Sequence, residues 1–197
     1  MESLALVFSS GWASGVNAYL VVLVLGTAER AGHDQIPDVL GRWDVLLIAA
    51  ALFTMEFVAD KIPLIDSTWD AISTAVRPTV GAVIGVLLAG EVDTLNAAVA
   101  GVVGGGTALA SHVVKMGGRL AINTSPEPVT NTIASTLEDL TVLGVVWFAV
   151  AHPELAAVIA AFLLVTGAVL LWFAVNLVRR GLRRWRSRRP PAVPRIR

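Results

Sequence analysis

The sequence predicts an all-α fold, a polytopic membrane helical bundle of about six transmembrane helices. Apolar residues make up 55% of the 197-residue chain and charged residues 15%, and the mean hydropathy is +0.72, far above that of a soluble domain. A helix needs roughly 20 apolar residues to cross a hydrocarbon core about 30 Å thick, so this length accommodates about six spans with short loops. We therefore expect one integral membrane domain over residues 1–178.

Charge is distributed unevenly, although the formal net charge is zero. Nine of the fifteen basic residues lie in the segment 179–197, which contains no acid. A basic run directly after an apolar helix is typical of the cytoplasmic side of a membrane. We therefore predict a disordered cytoplasmic tail that contacts anionic lipids of the bilayer, and no nucleic-acid partner. Cysteine is absent, which excludes disulfides and thiolate catalysis.

The first predicted span, residues 4–28, carries the small and polar residues SSGWASGVN in its middle. One interpretation is a broken helix, which a membrane tolerates where protein or a water-filled cavity satisfies the freed backbone groups. The other is that Gly11 and Gly15 allow a neighbouring helix to approach closely. Both alternatives stay open, and Asn17 is a candidate ligand in either case.

The second span, residues 45–58, ends just before Asp60 and Lys61, and the next helix begins near Asp66. Pro78 has no backbone N–H and disfavours a helical conformation at Arg77. We therefore expect residues 66–77 to form an interfacial or re-entrant half-helix, with residues 79–90 completing the third span.

Spans four to six cover about residues 95–114, 129–150 and 155–177. Polar residues recur every four positions along the fourth helix, which places them on one face that should point inward. His112 lies beside this face and is interpreted as a hydrogen-bonding core residue. The residues of the face are Thr107, Ser111, Lys115 and Arg119.

Six spans and a cytoplasmic tail place both termini in the cytoplasm. The loops that hold the basic residues Lys61, Arg77, Lys115 and Arg119 then lie inside, and the acidic loops 29–44 and 91–93 lie outside. This arrangement agrees with the positive-inside rule at each charged loop. We expect the bacterial inner membrane as the location.

A weak internal repeat is visible at an offset of 65 residues, where Pro63-x-x-Asp66 matches Pro128-x-x-Asn131. Both copies open a helix on the predicted cytoplasmic side, so the repeat would be of the parallel type. Shared capping chemistry at helix starts is the alternative explanation.

Ionisable residues in or beside membrane spans are costly and are functional candidates by default. Converging carboxylate and amide faces would suit a hard cation or a proton relay, although no cofactor is required and a divalent cation remains open. The nearby cations would instead neutralise the acids in a packing network, or bind an anionic substrate or lipid head group. The candidate site residues are Asn17, Glu56, Asp60, Lys61, Asp66, Asp70, Arg77, Lys115, Arg119, Asn131, Glu138 and Asp139.

Three segments occur in a distinctive order: SGVNAY at 14–19, EFVADKIPLIDSTWDAISTAVRP at 56–78, and a stretch with Lys115, Arg119, Asn123 and SPEPVTN that ends at Asn131. In these segments the chain resembles an uncharacterised bacterial membrane family known as domain of unknown function 4126. The resemblance covers about residues 5–175. It implies a small multi-pass inner-membrane protein and brings no substrate or catalytic residue.

The leading hypothesis is a transporter or channel for a small ion or polar solute, with its site in the cytoplasmic half of the membrane. Two alternatives remain: an accessory membrane protein whose charged residues only fix helix packing, and an enzyme acting on a lipid head group. The enzyme is less favoured because no nucleophile-and-base arrangement is recognisable. The small-residue faces of spans three and four suit packing within one chain or in a homo-oligomer.

Overall fold

The computed structural model describes residues 2–62, 65–90, 94–122 and 128–187. These residues form six α-helices and no strand, which confirms the predicted all-α bundle. The acidic loop 91–93 and the tail 188–197 lie outside the described residues. The helices are α1 (Glu2–Arg30), α2 (Trp43–Ala59), α3 (Ile65–Ala89), α4 (Thr94–Ile122), α5 (Pro128–Ala151) and α6 (Pro153–Ser187).

By length and apolar composition, five helices of the described chain could cross a membrane: α1, α3, α4, α5 and α6. α2 has 17 residues and spans roughly 25 Å at 1.5 Å per residue, the lower limit for crossing a bilayer. The chain is therefore a multi-pass membrane protein.

α1 is the centre of the bundle and contacts each of the other five helices. It is broken at Asn17, whose backbone is non-helical (φ −150°, ψ 96°). The Asn17 side chain caps the helix that follows, because its Oδ1 accepts the backbone N–H of Leu20 at 3.0 Å. α1 therefore consists of two arms, residues 2–16 and 18–30.

The first arm runs alongside α4 in the same direction. Leu4 lines a pocket with Asn96, close to the start of α4. At the other end of the arm, the carbonyl of Val16 accepts a hydrogen bond from Nζ of Lys115 at 2.9 Å, close to the end of α4.

The second arm turns back and runs alongside the last half of α5. Nδ2 of Asn17 donates to Oδ1 of Asp139 at 2.8 Å, in the middle of α5. Gln35, a few residues beyond the arm, donates to the carbonyl of Val150 at the end of α5. Since α5 returns antiparallel to α4, the second arm leads back to the end of the bundle from which the first arm started.

α1 is therefore V-shaped and re-entrant, and each arm is too short to cross a bilayer by itself. Both predicted explanations of the SSGWASGVN segment hold, since the helix is broken and also packs closely. A Cβ on Gly15 would collide with the carbonyl of Ala108 and Oγ of Ser111. Ser3 and Arg180 lie at opposite ends of the bundle. By length and composition α1 is one of the five helices that could cross a membrane and α2 is not, so the expected six crossings and the cytoplasmic location of both termini stay predictions.

Single-cysteine labelling tests this arrangement, because the natural chain contains no cysteine. With a membrane-impermeant maleimide, Ser3→Cys and Asp34→Cys should be labelled from one side, and Ile62→Cys and Arg180→Cys from the other. All four positions are exposed. If Ser3→Cys were labelled from the same side as Ile62→Cys, α1 would cross the membrane and the V shape would be wrong.

α3 departs from its prediction, because a single helix continues through Pro78 from Ile65 to Ala89. The expected half-helix at 66–77 is therefore wrong. Proline costs α3 one backbone hydrogen bond, but membrane helices tolerate it when neighbouring helices pack closely. Gly104 provides such packing, because its Cα approaches α3 at Gly81 and Gly85.

α6 lies at the periphery and is largely exposed along its apolar stretch. Its helix continues to Ser187, so residues 179–187 of the predicted disordered tail are helical. A run of arginines does not itself end a helix, since arginine has high helix propensity.

Candidate functional site

A connected network of ion pairs lies in the interior of the bundle and joins α3, α4, α5 and the end of α2. It contains eight of the twelve predicted site residues. All but Glu138 are almost completely buried, and the Glu138 side chain is 24% exposed. The network consists of Glu56, Asp60, Asp66, Asp70, Arg77, Lys115, Arg119 and Glu138.

The inner part of the network surrounds Arg77, at the midpoint of α3 and thus roughly 18 Å along the helix from either end. NH2 of Arg77 lies 2.5 Å from Oε1 of Glu56, and NH1 lies 3.1 Å from Oδ1 of Asp70. Each partner is 1% exposed or less. A guanidinium at this depth is stable only because two carboxylates accompany it.

The outer part is centred on Asp60, in the turn between α2 and α3. Its Oδ2 lies 3.0 Å from both Nζ of Lys115 and NH2 of Arg119. Its backbone carbonyl also accepts hydrogen bonds from NH1 of Arg119 and Nδ2 of Asn131, each at 3.0 Å. Burial by itself would raise the pKa of Asp60, but the two cations hold the pKa below its usual value. Asp60 is therefore a charged hub.

Lys115 connects the two parts. Its Nζ lies 4.0 Å from Glu56, 3.0 Å from Asp60 and 3.3 Å from Glu138. Oε2 of Glu138 also pairs with NH2 of Arg119 at 2.5 Å. One ammonium therefore contacts carboxylates from both parts.

The break in α1 faces this network. The first arm ends with free carbonyls, and two of them accept from network cations: Gly15 from NH1 of Arg77 at 3.4 Å, and Val16 from Nζ of Lys115 at 2.9 Å. The negative end of a helix dipole thus meets two positive charges. The positive end of the second arm instead meets a carboxylate, since Asn17 donates to Asp139.

His112 is completely buried next to the inner part, as the sequence predicted for a hydrogen-bonding core residue. Its Nδ1 lies 2.8 Å from NH1 of Arg77 and its Nε2 lies 3.0 Å from Oγ1 of Thr74. An arginine can only donate, so Nδ1 is the acceptor and Nε2 carries the proton. The ring therefore accepts from NH1 of Arg77, whereas Glu56 accepts from NH2.

The four-residue stripe of α4 points inward, as predicted. Ser111 donates to the carbonyl of Trp12 at 2.7 Å, and Lys115 and Arg119 belong to the network. Of the remaining candidates, Lys61 is only partly buried and lies 3.4 Å from Oγ of Ser135.

The two Pro-x-x-Asx segments converge on the outer part. Oδ2 of Asp66 lies 3.6 Å from NH1 of Arg119, and Asn131 donates to the carbonyl of Asp60. Pro63, like Asn123 of the third distinctive segment, lies outside the described residues. The internal repeat itself stays a prediction.

Carboxylates outnumber cations at this site. Six acids (Glu56, Asp60, Asp66, Asp70, Glu138 and Asp139) face four bases (Lys61, Arg77, Lys115 and Arg119), an excess of two negative charges among the described residues. Several buried oxygens also have no hydrogen bond within the described protein: Oε2 of Glu56, Oδ1 of Asp60, Oδ2 of Asp70, Oδ2 of Asp139 and Oδ1 of Asn131.

The carboxylates do not form a preorganised metal site, because cations separate them. No group of three or more His, Asp or Glu residues in the described ranges is arranged to hold a metal ion. A proton needs no such coordination shell, and the unpaired oxygens are suitable acceptors for it.

A cavity of about 160 Å³ reaches the network from the side of α6. Lys115 and Glu138 lie at its wall, and most of the other residues that line it are apolar, among them Trp12, Leu163 and Leu164. Glu138 is the most exposed acid of the network and lies at the wall of this cavity.

One kind of participant was not predicted from the sequence. The carbonyls of Gly15 and Val16 become ligands only because α1 breaks at Asn17. The small and polar composition of residues 9–17 was the available signal for them. Thr74, in contrast, shares a helical face with Asp66 and Asp70 by its spacing in the sequence, and it joins the site through its contact with His112.

Comparison with curated proteins gave no match, and comparison with solved structures gave none. One family model does match, described as Domain of unknown function (DUF4126), over residues 4–173. The match includes all twelve candidate residues and α1 from residue 4 onwards, and it agrees with the resemblance seen in the sequence. The chain therefore belongs to the DUF4126 family.

Proposed function

We propose that the chain is a membrane transport protein that carries protons, or another small cation, through the ion-pair network. The observation that carries this proposal is the excess of two carboxylates over cations inside the bundle. A buried uncompensated charge is costly, so such a site takes up protons or binds a cation. An anionic substrate would add to the excess and is disfavoured.

The re-entrant shape of α1 supports transport. Broken helices whose ends meet near the middle of the membrane are a recurring way of building ion sites in transporters. Here the two arms meet at Asn17, and their ends contact Lys115 and Asp139. A protein that needed only stable packing would gain nothing from the free carbonyls at this break.

The bundle is closed on one side of the network. Between the first arm and α3 the interior is apolar, with Val7, Ile84 and Leu88 buried. Buried charged residues of the described chain lie only between the middle of the bundle and the end that holds Asp60. This asymmetry fits a carrier that opens alternately to each side better than an open channel.

The orientation follows from charge. The basic end of α6 and the turn at Lys61 lie at the same end of the bundle, which we assign to the cytoplasm by the positive-inside rule. The network then occupies the cytoplasmic half of an inner membrane, and the amino terminus lies on the outer side.

A packing role is the second candidate, because the ion pairs join α3, α4, α5 and the end of α2. Well-packed apolar residues often stabilise a core at least as well as buried ion pairs. Packing alone therefore explains neither the excess of carboxylates nor the access through Glu138.

Flux through purified protein tests the proposal. Proteoliposomes with an entrapped pH-sensitive dye should acidify faster than empty vesicles under an imposed pH gradient, and Glu138→Gln should slow this flux at least tenfold. Parallel gradients of Na⁺ and K⁺ identify a cation other than the proton.

Glu154→Gln is the matched control, since Glu154 is an acid at the start of α6 that is outside the network. It should retain wild-type flux. If no gradient produced flux above that of empty vesicles, or if Glu138→Gln behaved like Glu154→Gln, the transport proposal or the role of Glu138 in it would be wrong.

A further inference from the structure

A long groove between α4 and α6 faces the surrounding membrane and is separate from the ion-pair network. Its volume is about 640 Å³, within the usual range for ligand pockets. Small residues keep it open, namely Gly106 and Ala110 on α4 and Ala168 on α6. A polar end is formed by Asn176 and Arg179.

The position of the groove matches one leaflet of a bilayer. α6 starts at Pro153, and its residues in the groove extend from Leu164 to Arg179. At 1.5 Å per residue, Leu164 lies roughly 16 Å along the helix, close to the bilayer centre, and Arg179 lies roughly 39 Å along it, at head-group level. The intervening 22 Å is about the depth of one leaflet including its head groups.

The charge at the polar end indicates the occupant. Arg179 is exposed and makes no ion pair with another described residue. It begins the segment 179–197, which carries nine bases and no acid. Basic residues at this level attract anionic lipids.

We propose that this groove binds one anionic phospholipid, with an acyl chain along α4 and α6 and the phosphate at Arg179 and Asn176. The apolar wall accommodates the chain, and the arginine provides charge-assisted hydrogen bonds to phosphate oxygens. The alternative occupant, a second copy of the chain, would place two strongly basic helix ends side by side and repel itself.

Native mass spectrometry of the full chain in detergent tests the proposal, using equal amounts of phosphatidylglycerol and phosphatidylcholine with identical acyl chains. The wild-type protein should retain one molecule of phosphatidylglycerol in preference to phosphatidylcholine. Arg179→Gln should reduce that preference roughly fivefold, the equivalent of about 1 kcal/mol. Ala110→Phe, which fills the groove, should reduce retention of both lipids.

Two variants serve as controls. Ala98→Phe adds the same bulk at an exposed position of α4 outside the groove, and Arg42→Gln removes an exposed arginine before α2. Both should behave like wild type. The assignment would be overturned if wild type retained the two lipids equally, or if Ala110→Phe bound them as wild type does. It would also be overturned if wild type formed a dimer that Ala110→Phe dissociates.

Discussion

Asp60→Asn is expected to abolish cation flux while leaving the protein folded and inserted. The change removes the charge that Lys115 and Arg119 share at 3.0 Å and keeps the shape of the side chain. The Asp60 backbone carbonyl, which binds Arg119 and Asn131, is unaffected. Both cations then pair more tightly with Glu138. This closes the path for the transported cation from Glu138 to the inner part of the network.

Flux in proteoliposomes and thermal unfolding in detergent should be measured on the same preparation. Asp66→Asn should also lose flux, because Asp66 is paired with Arg119 at 3.6 Å. Asp44→Asn is the control, since Asp44 is an exposed acid paired with Arg42 near the start of α2. Full flux in both network variants would remove these acids from the mechanism. Loss of stability in step with loss of flux would favour the packing role.

Arg77→Gln should have the largest effect on stability. It removes the closest cation of both Glu56 and Asp70 in the middle of the bundle, where both acids are almost completely buried. Lys115 stays near Glu56, but at 4.0 Å. Breaking a buried pair from one side costs about 3–5 kcal/mol. We therefore expect a much lower unfolding temperature in detergent, and partial recovery when Glu56→Gln is added, because the second change removes one of the two acids that lost Arg77.

Arg42→Gln is the matched control, because the Arg42–Asp44 pair has nearly the same length, 2.6 Å, but lies at the surface. Exposed ion pairs contribute about 0–1 kcal/mol, so its unfolding temperature should hardly change. Equal effects of Arg77→Gln and Arg42→Gln would show that the interior pair does not bear on stability.

The helices and the members of the network could be predicted from the sequence. An apolar run of sufficient length defines a membrane helix whatever packs around it. Charged residues within such a run face the interior of the bundle and pair with each other, because exposure to lipid is costly. The four-residue spacing from Thr107 to Arg119 was enough to assign the inward face of α4. The sequence could say only what would follow if Asp66 and Asn131 converged with Asp60. The spacing of residues within a helix does not show which helices are neighbours.

The reversal of α1 could not be predicted, although the small and polar residues in the middle of the span allowed a broken helix. A single non-helical residue, Asn17, reverses the chain. The break is stabilised by contacts from distant segments: Asp139 accepts from Asn17, and Lys115 donates to the carbonyl of Val16. At Pro78 the sequence predicted a break that the structure does not have. The local preference of proline against helix is outweighed there by the close packing of α3 on α4.

The most direct test of the central claim is infrared spectroscopy of the purified protein in a buffer free of metal cations. Two carboxylates in excess must then hold protons, so we predict an absorption band of buried protonated carboxyl groups near neutral pH. The band should weaken in Asp60→Asn, because the variant has one negative charge fewer and therefore needs one proton fewer for balance. The band should also weaken when an added metal cation competes with protons for the site. A spectrum that shows only ionised carboxylates in wild type would contradict proton uptake by the network.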